Sequence, residues 1–177
     1  MISMQTLDCI RQRRSIRRFL DKDVPDNIII KALNAGLHAP SSRDCQPWHF
    51  VVVREKQIRK KLADIKGEDN IKPIMSAPVV VIVCVDIDAS PSRWIEDGVC
   101  ATENLLLAAY DLGLGSVYIT GSKQSKPEIA AAIQKILGLP SKVMPVTILP
   151  LGYPHPKEQL QAKELRALDE VLHLEGW

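Results

Sequence analysis

Aromatic residues and reactive-site signatures are scarce in this sequence. Only eight of the 177 residues are aromatic, and they are scattered, so no row of stacking side chains is available for single-stranded nucleic acid. The four cysteines (Cys9, Cys45, Cys84 and Cys100) form no CxxC pair, and no cysteine–histidine group has metal-ligand spacing. No dinucleotide fingerprint, P-loop or GxSxG elbow occurs. We therefore expect neither a nucleic-acid partner nor a bound metal.

Strong net charge and long apolar runs are also missing. A net charge of +2 is too small to imply a polyanionic partner by itself. The longest apolar run, residues 77–85, is too short to span a bilayer, and residues 1–14 lack the apolar core of a signal peptide. With 46% apolar and 25% charged residues, the sequence predicts one soluble, cytoplasmic domain over residues 1–177 with no membrane partner.

The sequence does contain a dense basic segment, RQRRSIRRF, at residues 11–19. Its five arginines keep their charge at ordinary pH and offer planar donor forks that suit a phosphate dianion, and Ser15 can add a hydroxyl donor. Ile16 and Phe19 are apolar and can pin the segment to a core. A phosphate site is therefore one interpretation, and a solvated face or a nucleic-acid arm is the alternative.

Apolar periodicity predicts a layered α+β domain whose sheet carries helices on its faces. Cys84 falls in the run 78–85, which reads as a central strand buried on both sides, and Cys100 falls in an apolar helix. The region 67–72 reads as a polar loop, and residues 155–177 as a polar, then weakly helical, extension that wraps another subunit. The predicted helices are 4–12, 25–39, 55–65, 94–112 and 127–137, and the predicted strands are 48–53, 78–85, 116–119 and 144–151.

A polar loop, PSSRDCQP, fills residues 40–47 between a helix and a strand. Loops in such positions often bind ligands, although the same residue types also make plain turns. Cys45 lies in this loop and is a candidate reactive thiol, but no histidine is placed by the sequence to activate it.

Five segments, taken in order, resemble the flavin-dependent nitroreductase family in its short form without a ferredoxin domain. They are RRSIRRF, APSSRDCQPW, APVVV, GLGSVYITG and LGYP, at residues 13–19, 39–48, 77–81, 113–121 and 151–154. The resemblance implies a central mixed, mainly antiparallel sheet flanked by helices, with a C-terminal extension that wraps the partner subunit. It also implies a homodimer that holds FMN at its subunit interface.

The resemblance also assigns the phosphate end of the FMN site. Arg13, Arg14 and Ser15 correspond to the residues that bind the phosphate and the ribityl chain. Arg17 corresponds to the basic residue at the N1/O2 edge of the flavin. Arg166 corresponds to a late basic residue that closes on the phosphate, and Lys163 is a rival for that role.

The same resemblance assigns the ring end of the site. A loop from the other subunit contributes Pro40, Ser41, Ser42 and Gln46. Asn70 corresponds to an asparagine that contacts the pyrimidine edge. The residues that lie along the ring and offer a backbone N–H near N5 are Tyr118, Ile119, Thr120 and Gly121.

These assignments imply an enzyme whose flavin carries the chemistry. NAD(P)H would donate hydride, and a nitroaromatic, quinone or similar acceptor would take it in a ping-pong cycle with no catalytic side chain. A flavin-modifying or dehalogenating relative on the same fold, and a non-catalytic flavin-binding or redox-sensing module, are the alternatives. Asp44 stands where the family often has asparagine, and Thr120 where some members have glutamate, so both bear on the substrate.

Overall fold

The computed structural model of the chain describes residues 5–121, 127–158 and 163–177, apart from the side chain of Glu68. The helices are α1 (Thr6–Gln12), α2 (Asp26–Leu37), α3 (Lys56–Lys66), α4 (Glu68–Ser76), α5 (Trp94–Asp111) and α6 (Pro127–Leu137). The strands are β1 (Trp48–Val53), β2 (Val79–Asp86), β3 (Gly115–Ser116), β4 (Ile119–Thr120) and β5 (Val143–Gly152).

The sheet has the order β1-β2-β5-β3, and β4 also pairs with β5. Every strand pair among the described residues is antiparallel, and an isolated bridge between Ser15 and Ser116 is parallel. Strand β2 lies inside the sheet and is buried from Val79 to Val85, as its run of β-branched residues predicts. The layered α+β architecture predicted from the sequence is confirmed.

The two faces of β2 pack against different helices. Val79, Val81 and Val83 contact one core with α2 and α5, and Val80, Ile82 and Cys84 belong to another with α3, α4 and α6. This alternation follows from the two-residue period of a strand. Burial raises the pKa of the Cys84 thiol to about 12, so Cys84 is a small buried apolar residue, whereas Cys100 is only half-buried.

Helix α4 corrects the prediction of a polar loop at residues 67–72. Ile71, Ile74 and Met75 recur at helical spacing, and Ile74 is fully buried in the core beneath β2. Gly67 lies between α3 and α4 and has φ 77°, a conformation that glycine tolerates. This residue separates the two helices. Burial of an apolar stripe thus outweighs the polar composition of the segment.

The predicted strand 116–119 is instead two short strands, β3 and β4. Both strands pair with β5 in the same register, because Gly115 pairs with Gly152 and Ile119 pairs with Ile148. That register puts Val117 opposite Pro150, which has no N–H to donate. The ladder is interrupted at this point.

The C-terminal segment also differs from its prediction. Residues 163–177 are exposed and contain one 3-10 turn, Leu168–Glu170, instead of a helix that begins near Glu164. A short helix needs an apolar face to pack on, and Leu165 and Leu174 remain 81% and 80% exposed.

Candidate functional site

The basic segment leaves helix α1 and runs along the edge of the sheet. The N–H of Ile16 donates to the Ser116 carbonyl at 2.9 Å, and a bridge joins Phe19 to Pro154. Ile16 and Phe19 are each 5% exposed, as expected for residues that pin the segment. The arginines between them are therefore held on a fixed backbone.

The five arginines have different surroundings. One terminal nitrogen of Arg14 donates to the carbonyls of Arg11, Gln12 and Arg13 at 2.8, 2.8 and 3.1 Å, where a cation offsets the negative end of α1. In the described part of the chain, no carboxylate forms an ion pair with the side chains of Arg11, Arg13, Arg17 or Arg18. The segment therefore keeps several uncompensated positive charges.

Arg17 is fixed through its backbone. Its N–H donates to Glu158 Oε1 at 2.8 Å, and its carbonyl accepts from Ser76 Oγ at 3.3 Å. Ser76 is the last residue of α4, so its bond connects the basic segment with the helix that carries Asn70. No sequence pattern pointed to Glu158.

Asn70 and the 118–121 segment come together beside this helix. Asn70 Nδ2 donates to the Lys66 carbonyl at 3.2 Å, and Lys66 Nζ donates to the Thr120 carbonyl. Ser15, from the basic segment, bridges to Ser116 a few residues before Tyr118. Arg13, Arg14, Ser15, Arg17, Asn70 and Tyr118–Gly121 therefore belong to connected segments along one edge of the sheet.

The chain at Gly121 lies close to β5. Its N–H donates to the Val146 carbonyl at 2.7 Å, and a Cβ at this position would lie 2.9 Å from the Val146 carbonyl carbon. Ile119 is buried, and Tyr118 is 39% exposed, with a phenol pKa raised by burial. The segment thus presents its tyrosine side chain to solvent while its glycine contacts backbone.

The loop that contains Pro40, Ser41, Ser42 and Gln46 lies at the other end of β2. At the end of β2, the Asp86 N–H donates to the Pro47 carbonyl at 2.8 Å. At the beginning of β2, Val79 pairs with Leu151, which in turn pairs with Ser116. Eight strand residues separate the two ends by roughly 24 Å. Within one chain, this loop does not meet the basic segment.

The loop is strained and held by specific bonds. Arg43, Asp44 and Gln46 have φ of 53°, 54° and 45°, which costs on the order of 1 kcal/mol or more for each side chain that is not glycine. Gln46 donates from its backbone to Ser41 Oγ and from its amide to Asp44 Oδ1, both at 3.0 Å. Aspartate and asparagine both tolerate this conformation, which accounts for Asp44 at this position.

Asp97 anchors the loop and was missed from the sequence. It lies in the first turn of α5 and is 4% exposed. Its carboxylate accepts from the Ser42 N–H at 2.9 Å, from Ser90 Oγ at 2.6 Å and from Cys45 Sγ at 3.8 Å. The sequence carries no signal that singles it out, because Glu96, Glu103 and Asp111 are acidic residues of the same helix.

We expect Asp97→Ala to loosen the loop. The Ser42 N–H and the Ser90 hydroxyl would lose their acceptor, at a cost of about 1–3 kcal/mol. Hydrogen–deuterium exchange by mass spectrometry should show faster exchange over residues 40–46. The control is Glu96→Ala, which removes an exposed carboxylate one position earlier. Equal exchange rates in both variants would show that Asp97 does not hold the loop.

The two late basic residues lie in different places. Arg166 pairs with Glu170 Oε2 at 3.3 Å and donates to the Glu170 carbonyl at 3.1 Å. Lys163 Nζ donates to the Ile10 carbonyl in α1 at 3.2 Å. Within this chain Lys163 is therefore the one bonded to the helix that precedes the basic segment.

The described ranges contain neither a membrane-spanning helix nor a metal-binding cluster. None of their helices combines the length and apolarity that a bilayer-spanning segment needs. They also contain no group of three or more histidine, cysteine, aspartate or glutamate side chains that could hold a metal ion.

Comparison with known proteins identifies the family. The profile of the Nitroreductase family matches residues 10–83 and 72–153. The chain is 37% identical over 176 residues to a protein of Methanothermobacter thermautotrophicus with the provisional name NADH dehydrogenase/NAD(P)H nitroreductase, with 98% of this chain and 88% of that protein covered. This chain belongs to the nitroreductase family.

Solved structures agree with this assignment. A Parabacteroides distasonis protein with the same provisional name superposes with a TM-score of 0.89 at 33% identity, covering 98% of this chain and 99% of that one. A provisionally named nitroreductase of Desulfovibrio desulfuricans, solved with FMN, gives 0.83 at 30% identity and covers 98% of both chains. The predicted family and fold are confirmed.

The names of the relatives also bear on activity. They include an NADPH-flavin oxidoreductase of Vibrio harveyi, 30% identical over 95% of this chain and 72% of its own. Together with the archaeal relative, it confirms the predicted class of NAD(P)H-dependent oxidoreductase. An iodotyrosine deiodinase of Thermotoga neapolitana is 29% identical over 89% of this chain and 94% of its own, so the family resemblance does not specify the acceptor.

Proposed function

We propose that residues 1–177 form one FMN-binding domain of a cytoplasmic homodimer that oxidises NAD(P)H and reduces nitroaromatics, quinones or similar acceptors in a ping-pong cycle. The observation that carries the proposal is the basic segment. Arg11, Arg13, Arg17 and Arg18 form no ion pair with a carboxylate in the described ranges. The backbone of the segment is bonded to the strand that leads into Tyr118–Gly121. Positive charge is thus held beside the segment that would follow a flavin ring.

The residues present fit FMN in their chemistry. Arg13 and Ser15 supply a guanidinium and a hydroxyl for the phosphate, and Arg14 adds a second guanidinium whose bonds to α1 place it at the same helix end. The backbone around Tyr118 and the amide of Asn70 supply hydrogen-bonding groups for a planar heterocycle. No metal or nucleophile is required in this arrangement.

When bound, FMN supplies the two-electron chemistry between NAD(P)H and the acceptor. The protein contributes charge and position. Arg17 would place a cation where negative charge develops on reduction, and a preorganised cation stabilises such charge. Glu158 and Ser76 hold the Arg17 backbone from both sides, which supports a fixed position for that cation.

The proposal that the site forms between two chains is supported by the separation of its two halves. The basic segment and the Pro40–Ser42 loop lie at opposite ends of β2 within one chain, roughly 24 Å apart by strand length. A second copy can bring its own loop to the basic segment of the first. The exposed apolar side chains of the C-terminal segment, including Leu165 and Leu174, are consistent with an extension that wraps a partner.

A mixed dimer tests this arrangement. One chain carries Arg13→Ala and the other, with a different tag, carries Ser41→Ala with Ser42→Ala. If each site joins the basic segment of one chain with the loop of the other, the mixed dimer has one intact site. It should bind about half the FMN of the wild type, whereas either homodimeric variant binds less. If mixing restores no FMN, each site lies within one chain and the proposal is wrong.

The activity is tested on the FMN-loaded protein. A yellow sample with one FMN per chain should oxidise NADH or NADPH steadily when a nitroaromatic is added. The Thermotoga deiodinase favours reductive dehalogenation as a second candidate. A faster turnover with a halogenated phenol than with a nitroaromatic would favour it. A flavin-loaded protein that oxidises neither donor would be a binding or sensing module.

A further inference from the structure

A second cluster of cationic and hydroxyl groups lies beside the 40–46 loop, away from the basic segment. It surrounds a cavity of about 330 Å³. The lining residues include Ser42, Arg43, Cys45, Ser90, Ser92 and Arg93. The cavity is therefore bordered by two arginines and three serines, and the function proposed above uses neither arginine.

The charges around this cavity leave donors available. In the described part of the chain, no carboxylate forms an ion pair with Arg43. Arg93 pairs with Glu96 at 3.2 Å, and both side chains are more than half exposed, so that pair is weak and easily replaced.

Asp97 is a buried acidic group beside the cavity. Its carboxylate is occupied by the Ser42 N–H, the Ser90 hydroxyl and the Cys45 thiol. Three neutral donors therefore occupy its carboxylate oxygens. Arg43, Arg93 and the Ser92 hydroxyl remain as the groups suited to an anion.

We propose that Arg43 and Arg93, with Ser92, bind a phosphate group of the nicotinamide dinucleotide donor. The inference rests on the proposed function, because the loop that carries Arg43 also carries Ser41 and Ser42, and that function places these two serines beside the flavin. A dinucleotide that places its nicotinamide on the ring extends its phosphates away from it, and two planar guanidinium groups suit such a dianion. The phosphate is either the diphosphate common to both donors or the 2′-phosphate of NADPH.

Equilibrium binding separates these two sources. NADP⁺ and NAD⁺ are titrated by calorimetry into FMN-loaded wild type, Arg43→Gln, Arg93→Gln and the double variant, at fixed ionic strength. We expect each single variant to weaken NADP⁺ binding roughly ten-fold, the effect of losing one charge-assisted contact, and the double variant to weaken it further. Lys60→Gln is the control, because it removes one exposed charge on α3.

The outcomes are distinct. Weaker NADP⁺ binding with unchanged NAD⁺ binding assigns the 2′-phosphate, and equal weakening of both assigns the diphosphate. The inference is overturned if the double variant binds both nucleotides with the affinity of the Lys60→Gln control. It is also overturned if the double variant binds less FMN but its FMN-loaded sites bind both nucleotides as tightly as those of the wild type. Arg43→Lys and Arg93→Lys should retain part of the affinity. Failure of the proposed function itself would appear in the wild type, as a protein that binds no FMN.

Discussion

Arg13→Ala is expected to weaken FMN binding by about 10–100-fold, the equivalent of losing about 1.5–3 kcal/mol of hydrogen bonding to a charged group. Arg13 is the C-cap residue directly after α1, and Ser15 begins the contact with β3 two positions later. A guanidinium here is carried on a fixed backbone. Its removal takes away both a charge and an oriented donor pair.

Arg11→Ala provides the matched control for this prediction. It removes the same charge from the same segment, but Arg11 is an exposed residue inside α1, so we expect less than about a three-fold change from long-range electrostatics alone. The measurement is quenching of FMN fluorescence on titration of flavin-free protein at constant ionic strength. Equal effects of the two substitutions would show that the phosphate is not at Arg13.

Gly121→Ala is the second substitution with a large expected effect. The added Cβ would lie 2.9 Å from the Val146 carbonyl carbon and 3.0 Å from the Thr147 nitrogen, and backbone atoms of a buried strand cannot rotate away. Overpacking of this kind costs about 1–3 kcal/mol, which corresponds to roughly 2–12 °C in the midpoint of thermal unfolding. The strand β4 would move outward, so FMN affinity should fall as well.

Gly176→Ala is the control, since a Cβ there meets no atom within 4 Å. Both variants are unfolded thermally at equal protein concentration, because association would shift the midpoint. If Gly121→Ala unfolds at the same temperature as Gly176→Ala, the close approach of this segment to β5 is not maintained in solution.

Strand β2 and helix α6 illustrate how much of the fold the sequence predicts. A continuous run of β-branched residues indicates an interior strand because both faces must be buried, and α6 has the predicted bounds of 127 and 137. Helix α4 was wrongly predicted as a loop. Its polar surface residues dominate the composition, while Ile74, which decides its structure, is buried in a core that it shares with α3, α6 and the distant strand β2.

The predicted site likewise has features that the sequence reveals and features that only the folded chain reveals. The order of the motifs identified the family, and the density of arginines identified a cluster of positive charge. Neither could reveal Glu158 or Asp97, because a carboxylate that accepts backbone N–H groups has no local sequence pattern. Arg17 and Glu158 are 141 residues apart in the chain, and the pairing of their segments exists only after the sheet has formed.

The order of five motifs in the sequence thus identified the family by resemblance, whereas residue type and short-range period determined the interior strand and the positive charge near Arg13. The tertiary structure decided which groups share a surface. It aligned the basic segment with the strand before Tyr118 and put the Pro40–Gln46 loop at the opposite end of β2. Hydrogen bonds between distant segments fix such positions, and a linear pattern does not encode distances between residues that meet only on folding.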